Sequence, residues 1–131
     1  MIVVDASALL EVLLRTPAAE AVERCLFEES HETLHAPHLL DVEVAQVLRR
    51  YAAAGEIDGE RGRAALADLA DFPIRRYPHD LLLTRVWDLR KNFTAYDAVY
   101  VALAEALDAP LLTRDRRLAA AARRHVRVEL V

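Results

Sequence analysis

The sequence has few of the residues on which several common kinds of functional site depend. Its single cysteine, Cys25, cannot form an internal disulfide, and without a second cysteine or a histidine cluster it does not support a zinc site. The three glycines, at positions 55, 59 and 62, match neither the P-loop nor the dinucleotide-binding fingerprint. Nucleotide cofactors therefore lack their usual support, and the near absence of cysteine suits a reducing cytosol.

Long apolar runs are also missing. No segment approaches the length needed to span a membrane, and the opening stretch of residues 1–4 is too short, and too soon interrupted by Asp5, to be a signal peptide. A composition of 54% hydrophobic and 29% charged residues is typical of a globular protein. We expect a cytoplasmic protein in which residues 1–131 form one domain.

The sequence does contain an alternation of apolar strands and amphipathic helices. The β-branched run Ile2–Val4 predicts a strand covered on both faces, and two prolines bracket a later strand that we place at a sheet edge. This alternation implies an α/β fold with a parallel sheet between helical layers. The predicted strands are 2–4, 34–36, 73–78, 110–113 and 126–128. The predicted helices are 8–14, 17–27, 40–55, 59–69, 79–90, one that begins at 94 and one that ends at 124.

Two acidic residues directly follow predicted strands. Asp5 ends the first strand, and Asp115 comes just after the strand that ends at Thr113. In parallel sheets ligands bind at the carboxyl ends of the strands. The two carboxylates can therefore meet if these strands are neighbours.

Two further acids stand on helix faces that should turn inward. Glu43 is three residues after Leu40 and four before Val47, and Asp97 is four before Val101. A carboxylate on an apolar face costs several kcal/mol unless it is paired or coordinated. Four inward acids therefore indicate a bound cation.

The chemistry of these ligands favours a hard ion. Oxygen ligands without histidine or thiolate select Mg²⁺ or Mn²⁺ over zinc or copper. Carboxylates that hold such ions suit phosphodiester hydrolysis, because the metal lowers the pKa of a bound water from about 16 toward neutrality. On this hypothesis the catalytic residues are Asp5, Glu43, Asp97 and Asp115.

Each acid also has a structural alternative that the sequence leaves open. Asp5 and Asp115 could cap the helices that follow them, and Asp97 could complete a capping box with Thr94. Glu43 could pair with an arginine inside the fold.

Three residues near the acids are candidates for substrate binding. Ser7 could contact a phosphate or a metal-bound water, or it could bind backbone in the first turn of its helix. Thr113 and Arg114 could position and neutralise a scissile phosphate, or they could be a strand-end residue and a solvated charge.

The charge balance supports more than one interpretation. The net charge is −4, whereas nucleic-acid binders usually carry a basic footprint. Without the four proposed ligand acids the net charge would be 0, and a bound divalent ion would reverse the field near them. Sixteen arginines against one lysine favour forked hydrogen bonds to phosphates, although a GC-rich genome gives the same bias.

Three segments resemble the motifs of a known family, the PIN-domain ribonucleases, and in particular the VapC-type toxins of prokaryotic toxin–antitoxin pairs. Residues 2–9 (IVVDASAL) are similar to the opening strand of the family, and residues 43–50 (EVAQVLRR) to its central acidic helix. The most specific match is residues 94–104 (TAYDAVYVALA) followed by 112–118 (LTRDRRL). The segments occur in the family's order and span nearly the whole chain.

The resemblance implies a PIN-like three-layer α/β/α sandwich with a central parallel sheet of about five strands. It also implies Mg²⁺-dependent endonucleolytic cleavage of RNA that leaves a 5′-phosphate and a 3′-hydroxyl, a homodimer, and inhibition by a cognate VapB-type antitoxin. By position, Asp5, Asp97 and Asp115 would be the metal ligands, and Glu43 would help through water or a second ion. An arginine of the antitoxin could lie among the carboxylates and block the metal.

Other acidic α/β proteins fit less well. A phosphatase with an aspartyl nucleophile normally has a second aspartate two residues after the first, where this chain has Ser7. A receiver-like signalling domain needs paired acids before the first helix and a phosphorylatable aspartate after a middle strand, and neither is evident. The strongest alternative is a catalytically silent binding module whose acids bind the arginines of a partner.

Overall fold

A five-stranded sheet forms the centre of the computed structural model, which describes residues 1–28 and 33–131. Every pair of neighbouring strands is parallel, and their order is β3-β2-β1-β4-β5. The strands are β1 (Ile2–Val4), β2 (Leu34–Pro37), β3 (Ile74–Tyr77), β4 (Leu111–Thr113) and β5 (Val128–Leu130). The predicted five-stranded parallel sheet is confirmed.

Seven α-helices flank the sheet in the described part of the chain. They are α1 (Ala6–Leu13), α2 (Ala19–Glu23), α3 (Leu39–Ala53), α4 (Gly59–Asp71), α5 (Leu83–Asp88), α6 (Ala95–Leu107) and α7 (Arg116–Ala122). Helix α1 contacts α2, α3 and α4, while α6 packs on β1 and β2, and α7 packs on β4 and β5. The predicted three-layer α/β/α arrangement is confirmed. No helix among the described residues is both long and apolar enough to cross a membrane.

The position of β1 follows from its composition. Ile2, Val3 and Val4 are fully buried, and the strand lies between β2 and β4. β-Branched side chains suit a pleated sheet, and burying each one contributes about 1.5–3 kcal/mol to stability. The residue that follows β1, Asp5, therefore lies at the carboxyl edge of the sheet, inside the protein.

The ends of the sheet show where the predicted boundaries hold and where they do not. β3 is an edge strand, as the flanking prolines predict. The predicted last strand at 126–128 is wrong by two residues. The N–H of Val126 donates to the carbonyl of Ala122 at 2.9 Å and closes the end of α7, so β5 begins only at Val128. The helix predicted over 79–90 is a 3₁₀ turn followed by the shorter α5.

Candidate active site

The four acids selected from the sequence meet at the carboxyl edge of the sheet. Asp5 follows β1 and Asp115 follows β4, and these two strands are neighbours. Glu43 comes from α3, and Asp97 from the first turn of α6. All four line one groove of about 640 Å³. The structure thus brings the predicted acids together, while their role as metal ligands stays a prediction.

Asp5 is the most buried of these acids, with 5% of its surface exposed. Its Oδ1 accepts hydrogen bonds from the Ser7 hydroxyl at 2.7 Å and from the Ala8 N–H at 3.1 Å, and its Oδ2 accepts one from the Thr113 hydroxyl at 2.6 Å. The bond from Ala8 makes Asp5 the N-cap of α1. Both oxygens are therefore held in fixed positions by the protein.

Ser7 and Thr113 form a small hydroxyl network between β1 and β4. Thr113 is fully buried, and its hydroxyl accepts the N–H of Asp115 at 3.0 Å while it donates to Asp5. The Ser7 hydroxyl accepts the N–H of Arg114 at 2.9 Å. In the structure both hydroxyls bind protein groups and orient Asp5, and their predicted contact with substrate stays a prediction.

Glu43 is held by a tyrosine. The hydroxyl of Tyr100 on α6 donates to Glu43 Oε1 at 2.5 Å, so the partner is not the arginine that the sequence allows. Burial and the charge of Glu43 raise the pKa of Tyr100 far above its ordinary value, so the phenol remains a neutral donor at physiological pH. The carboxylate of Glu43 is thereby fixed across the groove from Asp5.

The structural alternatives raised by the sequence are present as well. Asp115 is the N-cap of α7, and its Oδ1 accepts the N–H groups of Arg117 at 2.9 Å and Leu118 at 3.1 Å. Thr94 caps α6, and its hydroxyl accepts the N–H of Asp97 at 3.1 Å. Helix N-termini favour nearby negative charge. Capping therefore helps to place the acids, and the second oxygen of Asp115 takes no part in it.

Comparisons with known proteins identify the family of this chain. A family model described as PIN domain matches residues 2–124. The chain is 52% identical to Ribonuclease VapC1 of Mycobacterium tuberculosis over 120 residues, which cover 91% of this chain and 89% of that protein. The protein belongs to the VapC family of PIN domains. It is also 41% identical to Ribonuclease VapC12 of the same organism, over 100% of this chain and 99% of that protein.

The fold of this VapC-family protein also occurs in a solved structure, that of VapBC2 from Rickettsia felis bound to a DNA fragment from their promoter. The TM-score is 0.73 at 13% sequence identity, and the match covers 100% of this chain and 99% of the other. At this identity the similarity supports the PIN fold alone. The family resemblance predicted from the sequence is confirmed.

The acids of this PIN domain repel one another. The pKa values of Asp5, Glu43 and Asp97 are all raised, and burial is the largest cause in each case. The charge of Asp115 further raises the pKa of Asp5 and of Asp97, and these two aspartates raise that of Glu43. Hydrogen bonds to Asp5 oppose part of its shift. Ionisation of the cluster is therefore opposed mainly by burial and further by the neighbouring negative charges.

A hard cation fits this cluster by donor chemistry and by charge. The four acids offer only oxygen, and none forms an ion pair with a described residue, while Arg114 in the same groove is paired with Glu11 at 3.3 Å. Within residues 1–28 and 33–131, no group of three or more acidic, histidine or cysteine side chains is arranged to hold a metal ion. The fit thus rests on the kind of ligand and on the uncompensated charge.

Two residues that line the groove of this VapC-family protein are not identified as site residues from the sequence. The spacing of α6 assigns Tyr100 to the buried side of the helix, but no local pattern connects it with Glu43, 57 positions away. Glu11, the partner of Arg114, stands on the mostly apolar α1 and lines the groove. A polar residue in an apolar helix is the signal that could have identified Glu11.

Replacing Asp97 by Asn should stabilise the protein in EDTA, because the change removes a charge that burial and the neighbouring Asp115 both disfavour. Allowing for its partial exposure, we expect the free energy of unfolding at pH 7 to rise by about 0.5–1 kcal/mol. The pKa of Asp97 is raised in the folded state, so the gain is present above that folded-state pKa and disappears as the pH falls toward the ordinary value of 3.8. Urea denaturation at pH 7 and at lower pH measures both effects.

Asp68→Asn, at an exposed position of α4, is the matched control and should change stability by less than about 0.5 kcal/mol. Mg²⁺ should raise the melting temperature of the unaltered protein more than that of the Asp97→Asn variant. Equal responses of the two proteins to Mg²⁺, or a destabilised Asp97→Asn variant, would contradict the account of the cluster.

Proposed function

We propose that this protein is an endoribonuclease that depends on Mg²⁺ or Mn²⁺ and acts as the toxin of a toxin–antitoxin pair. The observation that carries the proposal is the groove in which Asp5, Glu43, Asp97 and Asp115 meet without an ion pair to any described basic side chain. The names of the two relatives from Mycobacterium tuberculosis, both ribonucleases, support it. A protein with this activity would work in the cytoplasm, where its RNA is found.

In the proposed reaction Asp5, Asp97 and Asp115 would hold the metal, and Glu43 would act through water or a second ion. When bound, the metal supplies an activated water and neutralises charge on the scissile phosphate. The acids themselves would hold the ion at the carboxyl edge of the sheet, in the groove that they line. Arg114 lines the same groove and can approach a phosphate there.

The hydroxyl groups around the acids orient the carboxylates that would bind the metal. Ser7 and Thr113 donate to the two oxygens of Asp5, and Tyr100 donates to Glu43. A carboxylate whose orientation is already fixed needs little reorganisation when a cation and a phosphate arrive. We therefore assign Ser7, Thr113 and Tyr100 as positioning residues of the proposed nuclease.

The purified protein should cleave total cellular RNA in MgCl₂ or MnCl₂ and not in EDTA. Asp5→Asn and Asp97→Asn should each lower the rate by about 100-fold or more, because each removes a ligand charge while the fold is kept. Sequencing of the fragment ends should show 5′-phosphates and 3′-hydroxyls. Asp68→Asn should cleave at the original rate, and cleavage that survives both ligand substitutions would refute the mechanism.

The groove beside the acids has a largely apolar wall that suits an antitoxin segment. Val42 and Tyr96 are 67% and 63% exposed in it, although both are large and apolar. Other apolar residues of the wall are Leu10, Leu39, Val47 and Tyr51. We propose that a VapB-type antitoxin lays apolar side chains on this wall and extends an arginine to the acids. Membership of the VapC family, whose resemblance implies a VapB-type antitoxin, supports this choice of partner.

Val42→Asp should weaken inhibition by the cognate antitoxin by at least about tenfold, since it places a charge on the apolar wall. RNA cleavage without antitoxin should be unchanged. Titration of cleavage with the antitoxin measures the change, and Leu66→Asp on α4, which does not line the groove, is the control. Equal inhibition of both variants would argue against an antitoxin on this wall.

We further propose a homodimer formed through an exposed apolar patch of Leu81, Leu83 and Trp87. These side chains are 84%, 55% and 66% exposed, and Leu83 and Trp87 are four positions apart on one face of α5. A patch of this kind usually marks an interface. Trp87→Glu should convert the dimer to a monomer in sedimentation velocity, with the fold kept. A monomeric unaltered protein, or a dimeric variant, would rule out this interface.

A catalytically silent binding module is the second candidate function. It is favoured by the finding that no group of three metal-binding side chains is already arranged among the described residues. In such a module the acids would bind the arginines of a partner. The cleavage assay separates the two functions, because a silent module leaves RNA intact in every metal.

A further inference from the structure

Positive charge is concentrated in one short segment of a chain that is acidic overall. Residues 114–127 contain six arginines and one aspartate, a net charge of +5, whereas the whole chain carries −4. The rest of the chain therefore carries −9. A local excess of this size indicates a surface for an anionic partner, which the net charge of the chain conceals.

Two arginines of this segment lie on a path that begins at the acidic cluster. A depression of about 330 Å³ has Asn92, Asp97, Asp115 and Arg117 in its lining. An adjoining depression of about 290 Å³ shares Asn92 and Arg117 and continues to Arg124. Together the two depressions form a path beside α7, here called the α7 path, that leads from the acids to Arg124.

The guanidinium groups of the α7 path are available for a ligand. Arg117 and Arg124 are exposed, and neither forms an ion pair with a described residue. Other arginines hold the fold together in ion pairs: Arg76 with Asp41, Arg85 with Glu105, and Arg114 with Glu11. Ion pairs that stabilise the fold therefore do not explain why arginines occupy positions 117 and 124.

The spacing of these two arginines suits a polyanion that follows the helix. Arg117 lies in the first turn of α7, and Arg124 lies in the turn that directly follows the helix. At the helical rise of about 1.5 Å per residue, seven positions correspond to about 10 Å along the axis. Arginine binds phosphate oxygens through forked N–H groups. The groove lined by α3 also contains Arg50 and Arg114, but Arg114 is paired with Glu11, and most of the remaining lining is acidic or apolar.

We propose that the RNA strand passes along the α7 path, and that Arg117 and Arg124 bind phosphates on one side of the scissile bond. The inference rests on the proposed function, since it takes RNA as the substrate. The path explains how an acidic protein attracts a polyanion. The acids alone would repel RNA, but Arg117 lies beside them and Arg124 lies further along the path, and both attract its phosphates.

The test is RNA binding without cleavage. The Asp97→Asn protein in EDTA is titrated against a fluorescein-labelled single-stranded RNA of 20 nucleotides at several salt concentrations. Adding Arg117→Glu and Arg124→Glu should weaken binding by at least about tenfold at low salt. It should also lower the slope of log Kd against log salt by about 1.4, since two phosphate contacts to a single strand are lost.

Two matched sets of variants isolate the effect of position and chemistry. Arg49→Glu with Arg63→Glu makes the same change in net charge at exposed positions of α3 and α4, and it should leave the salt slope unchanged. Arg117→Lys with Arg124→Lys keeps the charges and should recover most of the affinity. Circular dichroism of each variant checks that the fold is kept.

The outcomes separate this inference from the proposed function. In one outcome the unaltered protein cleaves RNA, but the variant with Arg117→Glu and Arg124→Glu binds RNA as tightly as the variant with Arg49→Glu and Arg63→Glu. The α7 path is then wrong, and the proposed nuclease activity stands. If no RNA is cleaved but the α7 variants still lose RNA binding, the path stands and the nuclease fails. If a labelled poly-glutamate peptide binds as tightly as RNA and loses affinity equally, the path is a protein-binding surface and the inference is overturned.

Discussion

The buried carboxylate of Asp5 is the group on which the sheet edge and the site both depend. A carboxylate so far from water would cost several kcal/mol without partners, and here it accepts three hydrogen bonds, from Ala8, Ser7 and Thr113. The two hydroxyls accept in turn the N–H groups of the residues that follow β4. One side chain therefore connects β1, α1 and the start of the α7 segment, so the position of Asp115 depends on Asp5.

The acids of the cluster both stabilise and destabilise the folded state. Asp5 and Asp115 cap helices, which lowers the free energy of the folded state, but their negative charges raise the pKa values of neighbouring acids. A fold selected for stability alone would replace some of them by neutral caps, because Asn or Ser also caps a helix. The retained charge is therefore better explained by a cation or a cationic partner than by capping.

Much of this arrangement could be predicted because it depends on local patterns. A β-branched run identifies β1, and an acid that follows a parallel strand must lie at the carboxyl edge, so Asp5 and Asp115 meet once their strands are neighbours. The bond between Tyr100 and Glu43 could not be predicted, since neither helix carries a pattern that marks the other. The start of β5 depends on a hydrogen bond of Val126 that ends α7, and strand propensity alone does not reveal it.

The acidic cluster lies between two surfaces of opposite character. In the groove lined by α1, α3 and α6, exposed apolar side chains such as Val42 and Tyr96 would be removed from water in an apolar complex. On the α7 side, Arg117 and Arg124 are exposed and attract anions over a distance of about a Debye length, near 8–10 Å at physiological salt. An antitoxin and an RNA would thus approach the acids from different sides and compete at the cluster itself. On these two proposals, inhibition would require occupation of the carboxylates, whereas RNA affinity would be set largely by residues that the antitoxin leaves uncovered.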